Sequence, residues 1–264
     1  MSVVTLQLGQ CGNQLGLSFF DKLAHELEHF SAEDRECFFR SHDAKTIASH
    51  ESNGAATARA VLIDMEPKVI LLLVGGLPWQ YDDANVVCEQ SGSGSFVCDS
   101  LRELYPTSYL LNTVVWPYRS GEVIVQNYNT LLTMACLSES SDGVLIVEND
   151  LADQICRRLL AIPTPSFHQM NQVLTNHIAA MLMPALPFQV LLYLCVCTYA
   201  SYVSNWRSNS QAILPQVESM LDKAHRMFTS NAYVHQYATH GVDADFFQSC
   251  FLRLDQMVVN YKSL

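Results

Sequence analysis

The apolar positions change period twice within the first thirty residues. Val3-Val4-Thr5-Leu6-Gln7-Leu8 is short, apolar and partly β-branched, the pattern of a buried strand. After the polar, glycine-containing stretch 9–14, apolar residues fall at Leu15, Phe19, Leu23, Leu27 and Phe30, which is helical spacing. A strand therefore runs through a small polar loop into a helix. The theme recurs at Ala60-Val61-Leu62-Ile63, at 110–116 and at 143–147, each a short apolar strand. Asp150 is placed to cap the next helix, with Ile155, Leu159 and Leu160 inward, and Ser166 to cap a longer one ending near Met183. Residues 31–58 have no clean period and read as a surface loop region. Residues 188–203 read as strand, and Met220, Leu221, Ala224 and Phe228 follow helical spacing. Strands alternating with helices predict an α/β fold with a parallel sheet flanked by helices, which binds ligands at the carboxyl ends of its strands.

Composition narrows the class. The 264 residues are 49% apolar, enough for a substantial core in one large or two small domains. A net charge of −11 argues against general nucleic-acid binding, which needs a basic footprint. Nine cysteines, an odd and scattered set, fit a reduced cytoplasmic protein. The N-terminus enters a strand directly, so no secretory leader is expected. The longest apolar run, 188–200, includes Gln189 and Thr198 and is shorter than the ~20 residues a membrane span needs. Cys195 and Cys197 share one face of that strand but lack the further ligands of a metal site.

Three stretches carry candidate chemistry. Gly9 and Gly12 would let the backbone approach a phosphate at the start of a helix, with Gln10, Asn13 and Gln14 as side-chain donors. Neither the dinucleotide fingerprint nor a P-loop lysine is present, so spacing alone fits an ordinary strand-to-helix turn equally well. Asp64 and Glu66 end a strand and could reach a Mg²⁺, or be two solvated acids. Gln90-Ser91-Gly92-Ser93-Gly94-Ser95 is a small-residue loop suited to close backbone approach.

The residues themselves go further than their spacing. Gly-Gln-Cys-Gly-Asn-Gln-Leu-Gly at 9–16 resembles the N-terminal nucleotide loop of the tubulin family. The string 59–68, Arg-Ala-Val-Leu-Ile-Asp-Met-Glu-Pro-Lys, resembles the second loop of its delta branch. Matches continue at 90–95, 110–129, 165–171 and 203–246. The resemblance implies a Rossmann-like GTP-binding domain at 1–186, a remnant of the intermediate domain at 187–209 and a C-terminal helical pair at 210–264. It implies GTP and Mg²⁺ as cofactors. Gln10, Cys11, Gly94 and Ser95 are then placed at the phosphates, Asp64 and Glu66 on the Mg²⁺ side, and Glu122 and Gln126 at the ribose. Asn149 and Asn171 read guanine, and Phe167 stacks on it. It also implies a cytoskeletal protein of centrioles, basal bodies and cilia, in cytoplasm and nucleus, with other tubulins or centriolar proteins as partners.

Two departures from the family pattern bear on activity. The Gly-rich signature Gly-Gly-Gly-Thr-Gly-Ser-Gly is missing: the match breaks near 95/96, and the next glycine after Gly94 is Gly121. Met181-Leu182-Met183-Pro184-Ala185-Leu186-Pro187 lacks the acidic residue that the family offers to a neighbour's GTP. Nucleotide binding is therefore the reading, with hydrolysis left open. The alternative is a short form that binds little GTP and acts through its C-terminal helices. A dinucleotide-dependent oxidoreductase is disfavoured by the missing fingerprint.

Overall fold

The computed structural model describes residues 2–26, 31–40, 56–64, 79–88, 94–118, 123–182 and 211–263. In chain order the elements are β1 (Thr5–Leu8), α1 (Gly9–Glu26), α2 (Ala32–Phe38), β2 (Phe39–Arg40), β3 (Ala56–Ala58), β4 (Ala60–Asp64), β5 (Trp79–Gln80) and β6 (Val86–Cys88). Then come α3 (Gly94–Leu104), β7 (Leu111–Trp116), α4 (Gln126–Ser140), β8 (Gly143–Glu148), α5 (Asn149–Arg158) and α6 (Phe167–Leu182). The chain closes with α7 (Leu214–Thr229), α8 (Val234–Ala238) and α9 (Ala244–Lys262). Two compact units result, one formed by 1–92 and 152–200, the other by 93–151 and 201–264.

In the first unit β1, β4 and β6 form a parallel sheet in the order β1-β4-β6, with Thr5 opposite Ala60 and Leu8 opposite Ile63. A second small sheet, β2-β3-β5, pairs β2 and β3 antiparallel. Leu15, Phe19 and Leu23 of α1 are buried, as helical spacing requires, and Phe20 joins them. Phe20 meets Phe39, Trp79 and Tyr81 at ring-centroid distances of 5.5, 5.6 and 6.1 Å. Edge-to-face and tilted pairs of this kind add to area burial. Helix α6 packs on α1 and buries Val173, Leu174 and Ile178.

In the second unit β7 and β8 run parallel in register from Leu111 opposite Gly143 to Trp116 opposite Glu148. Tyr128, Leu131 and Ala135 of α4 share one core with Val217, Leu221 and Ala224 of α7 and with Phe247, Phe251 and Leu254 of α9. These positions repeat every three or four residues, which fixes the inward face of each helix. Arg102 closes the base of this unit: its guanidinium donates to the Ser140 and Ser108 carbonyls and pairs with Asp142.

Four local expectations are corrected. Residues 9–14 are the opening of α1, not a loop before it, because Gly9 at φ +68° turns the chain in one residue. The described parts of 31–58 hold α2, β2 and β3, anchored by buried Phe38 and Phe39. Gly94 and Ser95 open α3 rather than closing a loop. Asp150 lies inside α5, which begins at Asn149; of the three residues expected inward only Ile155 is buried, while Leu159 and Leu160 follow the helix end and are exposed. The strand expected at 188–203 and the Cys195/Cys197 pair lie outside the described residues.

Candidate functional site

Five of the sequence-derived site residues that the structure describes lie in the first unit. The chain leaves β1 through Gly9 and enters α1 at once, so Gln10 and Cys11 occupy its first turn, and both are exposed. The first N–H groups of a helix have no intrahelical acceptor and carry the positive end of its dipole. Although Cys11 is exposed as a residue, desolvation raises its thiol above the ordinary value, which keeps it neutral. A neutral thiol does not repel an anion at this turn.

One turn further, Asn13 is fully buried and ties α1 to the carboxyl end of β4. Its Nδ2 donates to the Ile63 carbonyl and to Asp64 Oδ2, both at 3.3 Å. Asp64 is itself buried, and this bond holds its carboxylate against Asn13 in the second turn of α1. The helix can come this close to the sheet because position 16 is glycine. A Cβ there would overlap the Gln7 carboxamide, whose Oε1 accepts from Tyr81 Oη at 3.2 Å.

Phe167 and Asn171 sit in the first two turns of α6. Ser166 caps that helix reciprocally with Gln169: Ser166 Oγ accepts from the Gln169 N–H at 3.3 Å, and Gln169 Oε1 accepts from the Ser166 N–H at 2.9 Å. Phe167 is 61% exposed and Asn171 8% exposed. An ordinary helix would show the opposite, an aromatic in the core and an amide in solvent.

The remaining candidates lie in the second unit. Gly94 and Ser95 open α3, Gln126 is the first residue of α4, and Asn149 is the first residue of α5, directly after β8. Gln126 Nε2 donates to the Tyr118 carbonyl at 3.1 Å, which ties the start of α4 to the chain just after β7. Glu66 and Glu122 lie outside the described residues. Among the described residues no group of three or more His, Cys, Asp or Glu side chains could hold a metal ion, and no helix is long and apolar enough to cross a membrane.

At the carboxyl ends of β7 and β8 the second unit has a cleft of about 240 Å³. Trp116, Tyr118, Gln126, Glu148, Gln216 and Lys223 line it. Gln216 and Lys223 come from α7 and had not been singled out from the sequence. No local signal marks them, because Gln216 meets Glu148 across 68 residues of chain.

Residues 88–157 match the model of the Tubulin/FtsZ family, GTPase domain. The chain is 33% identical over 241 residues to the tubulin delta chain of Canis lupus familiaris, across 70% of this chain and 53% of that protein. It is 33% identical over 244 residues to the human tubulin delta chain and 33% over 250 residues to that of Mus musculus, with the same coverage. The chain thus spans about half the length of the curated relatives it matches.

Proposed function

This chain belongs to the tubulin family as a relative of its delta chains, and we propose that it binds a guanine nucleotide with Mg²⁺. The observation that carries the reading is the junction of β1 and α1. Gly9 takes a left-handed turn, Gln10 and Cys11 are presented on the first turn of an 18-residue helix, and Asn13 holds the Asp64 carboxylate beside it. A helix start of this kind holds phosphate oxygens on backbone N–H groups. An oriented carboxylate beside it suits a hydrated Mg²⁺, which keeps several of its waters when bound. In this reading Asp64 and Glu66 serve the Mg²⁺ side, Gly94 and Ser95 add phosphate contacts, and Glu122 and Gln126 hold the ribose. Asn149 and Asn171 read the base edge, each offering a donor and an acceptor, and exposed Phe167 stacks on the base. On this reading it works in the cytoskeleton of centrioles, basal bodies and cilia, with other tubulins or centriolar proteins as partners.

A second reading gives the chain little GTP affinity and a role in protein interaction through its C-terminal helices. Exposed Phe246, Leu252 and Val259 on α9 support it. Losing a Gly-rich loop removes charge-assisted N–H contacts worth about 1.5–3 kcal/mol each. Three such contacts are several orders of magnitude in affinity.

Titration calorimetry of the purified chain with Mg²⁺, GTP and ATP separates the two. Micromolar or tighter binding with GTP preferred, and a preference relaxed by Asn171→Ala, supports the nucleotide site. A folded chain that ignores millimolar GTP overturns it.

A further inference from the structure

Helix α3 hands over to β7 through a loop whose side chains the protein leaves in solvent. Pro106 has no N–H and cannot extend the helix, so α3 stops at Leu104. The Ser108 N–H donates to the Tyr105 carbonyl at 3.1 Å and closes a tight turn. Arg102 Nη1 donates to the Pro106 and Ser108 carbonyls at 3.4 and 3.1 Å, and the Leu110 N–H donates to Asp142 Oδ2 at 2.7 Å. The backbone of the loop is thus held along its length. Every residue from Glu103 to Tyr109 is nevertheless exposed, Tyr105 by 57% and Tyr109 by 73%. Exposed Leu104 and Leu111 flank the two tyrosines. Tyr109 and Leu111 meet over Gly143, where a Cβ would lie 3.2 Å from Leu111 Cδ1 and 3.5 Å from Tyr109 Oη. An exposed apolar patch on a fixed loop marks an interaction surface, because groups already ordered lose little entropy on binding.

Charge narrows the partner. The Arg102 guanidinium is spent on backbone carbonyls and on Asp142. The Glu103 carboxylate has no ion pair or hydrogen bond among the described residues, and the side chains of Tyr105 and Tyr109 have no partner there either. The loop therefore offers two open aromatic rings and one unpaired carboxylate, on a chain of net charge −11. Like charge disfavours a second copy of this chain and an anionic lipid surface, and it favours a cation. Of the two basic side chains, arginine fits better. Its planar, weakly hydrated guanidinium stacks on a tyrosine ring and pairs with a carboxylate, whereas the lysine ammonium is a strongly hydrated point charge.

We propose that the loop 103–111 docks an arginine-bearing segment of a partner protein, with Tyr105 and Tyr109 stacking on guanidinium groups and Glu103 pairing with them. The assignment stands independently of the nucleotide reading.

Fluorescence anisotropy on the full chain tests it, with labelled hexa-arginine and hexa-lysine peptides as probes at about 0.15 M salt. The unmodified chain is expected to prefer hexa-arginine by about 3- to 10-fold, the effect of stacking at an exposed site. The double change Tyr105→Leu with Tyr109→Leu keeps an apolar surface but removes both rings, and is expected to bring the two peptides to equal affinity. Tyr105→Phe with Tyr109→Phe keeps the rings and is expected to keep the preference. Glu103→Gln is expected to weaken both peptides. All three positions are exposed, so the variants are expected to match the parent in circular dichroism and Tm. No hexa-arginine binding, or an arginine preference that survives the leucine changes, overturns the proposal. Sedimentation velocity and co-sedimentation with phosphatidylserine vesicles cover the other occupants: a dimer, or vesicle binding, that the leucine changes abolish gives the loop to a second copy or to a membrane and overturns the proposal as well.

Discussion

Replacing Asn13 by aspartate changes one nitrogen into one oxygen and tests the α1–β4 junction at almost no change in shape. The new carboxylate oxygen would stand where Nδ2 stands, 3.3 Å from Asp64 Oδ2, in a site with no exposure at position 13. Two unit charges at that separation repel by about 5 kcal/mol at an effective dielectric of about 20. The pair escapes by taking up one proton. Holding an aspartate of ordinary pKa ~3.9 protonated at about pH 7 costs roughly 4 kcal/mol, at 1.36 kcal/mol per unit. Repulsion and protonation are alternatives, so the penalty is the smaller of the two, about 4 kcal/mol. That is a large share of the 5–15 kcal/mol that typically holds a domain together.

The sign with pH follows from the same proton. The carboxyl introduced by Asn13→Asp has a folded pKa raised above its unfolded value, so the folded state binds the extra proton. The variant's deficit is full near neutrality and shrinks by about 1.4 kcal/mol per pH unit as pH falls toward about 4. Urea unfolding followed by circular dichroism, at about pH 7 and about pH 5, reads this difference directly. Asn13→Ala serves as the control: it loses the bonds to Ile63 and Asp64 without introducing a second acid, so it measures the lost bonds alone. If the aspartate variant matches the parent at neutrality, or its deficit does not shrink in acid, then Asn13 does not bridge to Asp64 and the carboxylate is not held as described.

Two further changes probe other parts of the fold. Gly16→Ala brings a Cβ into the Gln7 carboxamide, and overpacking of this kind costs about 1–3 kcal/mol against a helix-propensity gain of up to about 1; thermal unfolding is expected to show a net loss that a second change, Gln7→Ala, relieves. The Leu110 N–H first and the Arg102 guanidinium second hold the Asp142 carboxyl below its ordinary pKa. A lowered folded pKa means stability present above the ordinary carboxylate range and lost as pH falls through the lowered value. Asp142→Asn is therefore expected to flatten the acid limb of the Tm–pH curve, and a variant limb as steep as the parent's would remove Asp142 as its source.

Strands with a single apolar run and helices with long periodic faces could be read from sequence. β1, β4, β7 and β8 lie where the apolar runs put them, and Leu15, Phe19 and Leu23 face inward as spacing requires. What could not be read depends on single backbone angles or on distant partners. Gly9 replaces a whole loop through one positive φ, so residues 9–14 are helix. Leu159 and Leu160 continue the apolar period of α5, but Ala161 at φ +54° has turned the chain and left them in solvent. α2, β2 and β3 are too short to show a period, and aromatic contacts such as Phe20 to Phe39 define them instead. In the candidate site, family-like strings marked Gln10, Asp64 and Asn149. Asn13 bonds to Asp64 across 51 residues and Gln216 to Glu148 across 68, and neither pairing leaves a local trace.

The core of the second unit also limits how its C-terminal helices can be used. A parallel pair of strands is stable only when covered by helices, and β7 and β8 have each other as their sole described partners. Their cover is not local to the pair. Tyr128 of α4 is fully buried against Phe247 of α9 at 4.8 Å between ring centroids, and Val217 and Leu221 of α7 enter the same cluster. One face of α7 and of α9 is therefore committed to holding the sheet, and among the described residues the exposed apolar side chains of α9, Phe246, Leu252 and Val259, lie outside that face. Lys223 and Gln216 sit at the margin of the committed face of α7, where they line the cleft at the sheet's carboxyl edge. The helices that an interaction-module reading would treat as separable are thus part of the fold that forms the cleft. Removing them would take away the core along with any docking surface, so point changes at Leu252 or Val259, and not truncation, are what can separate partner binding from folding.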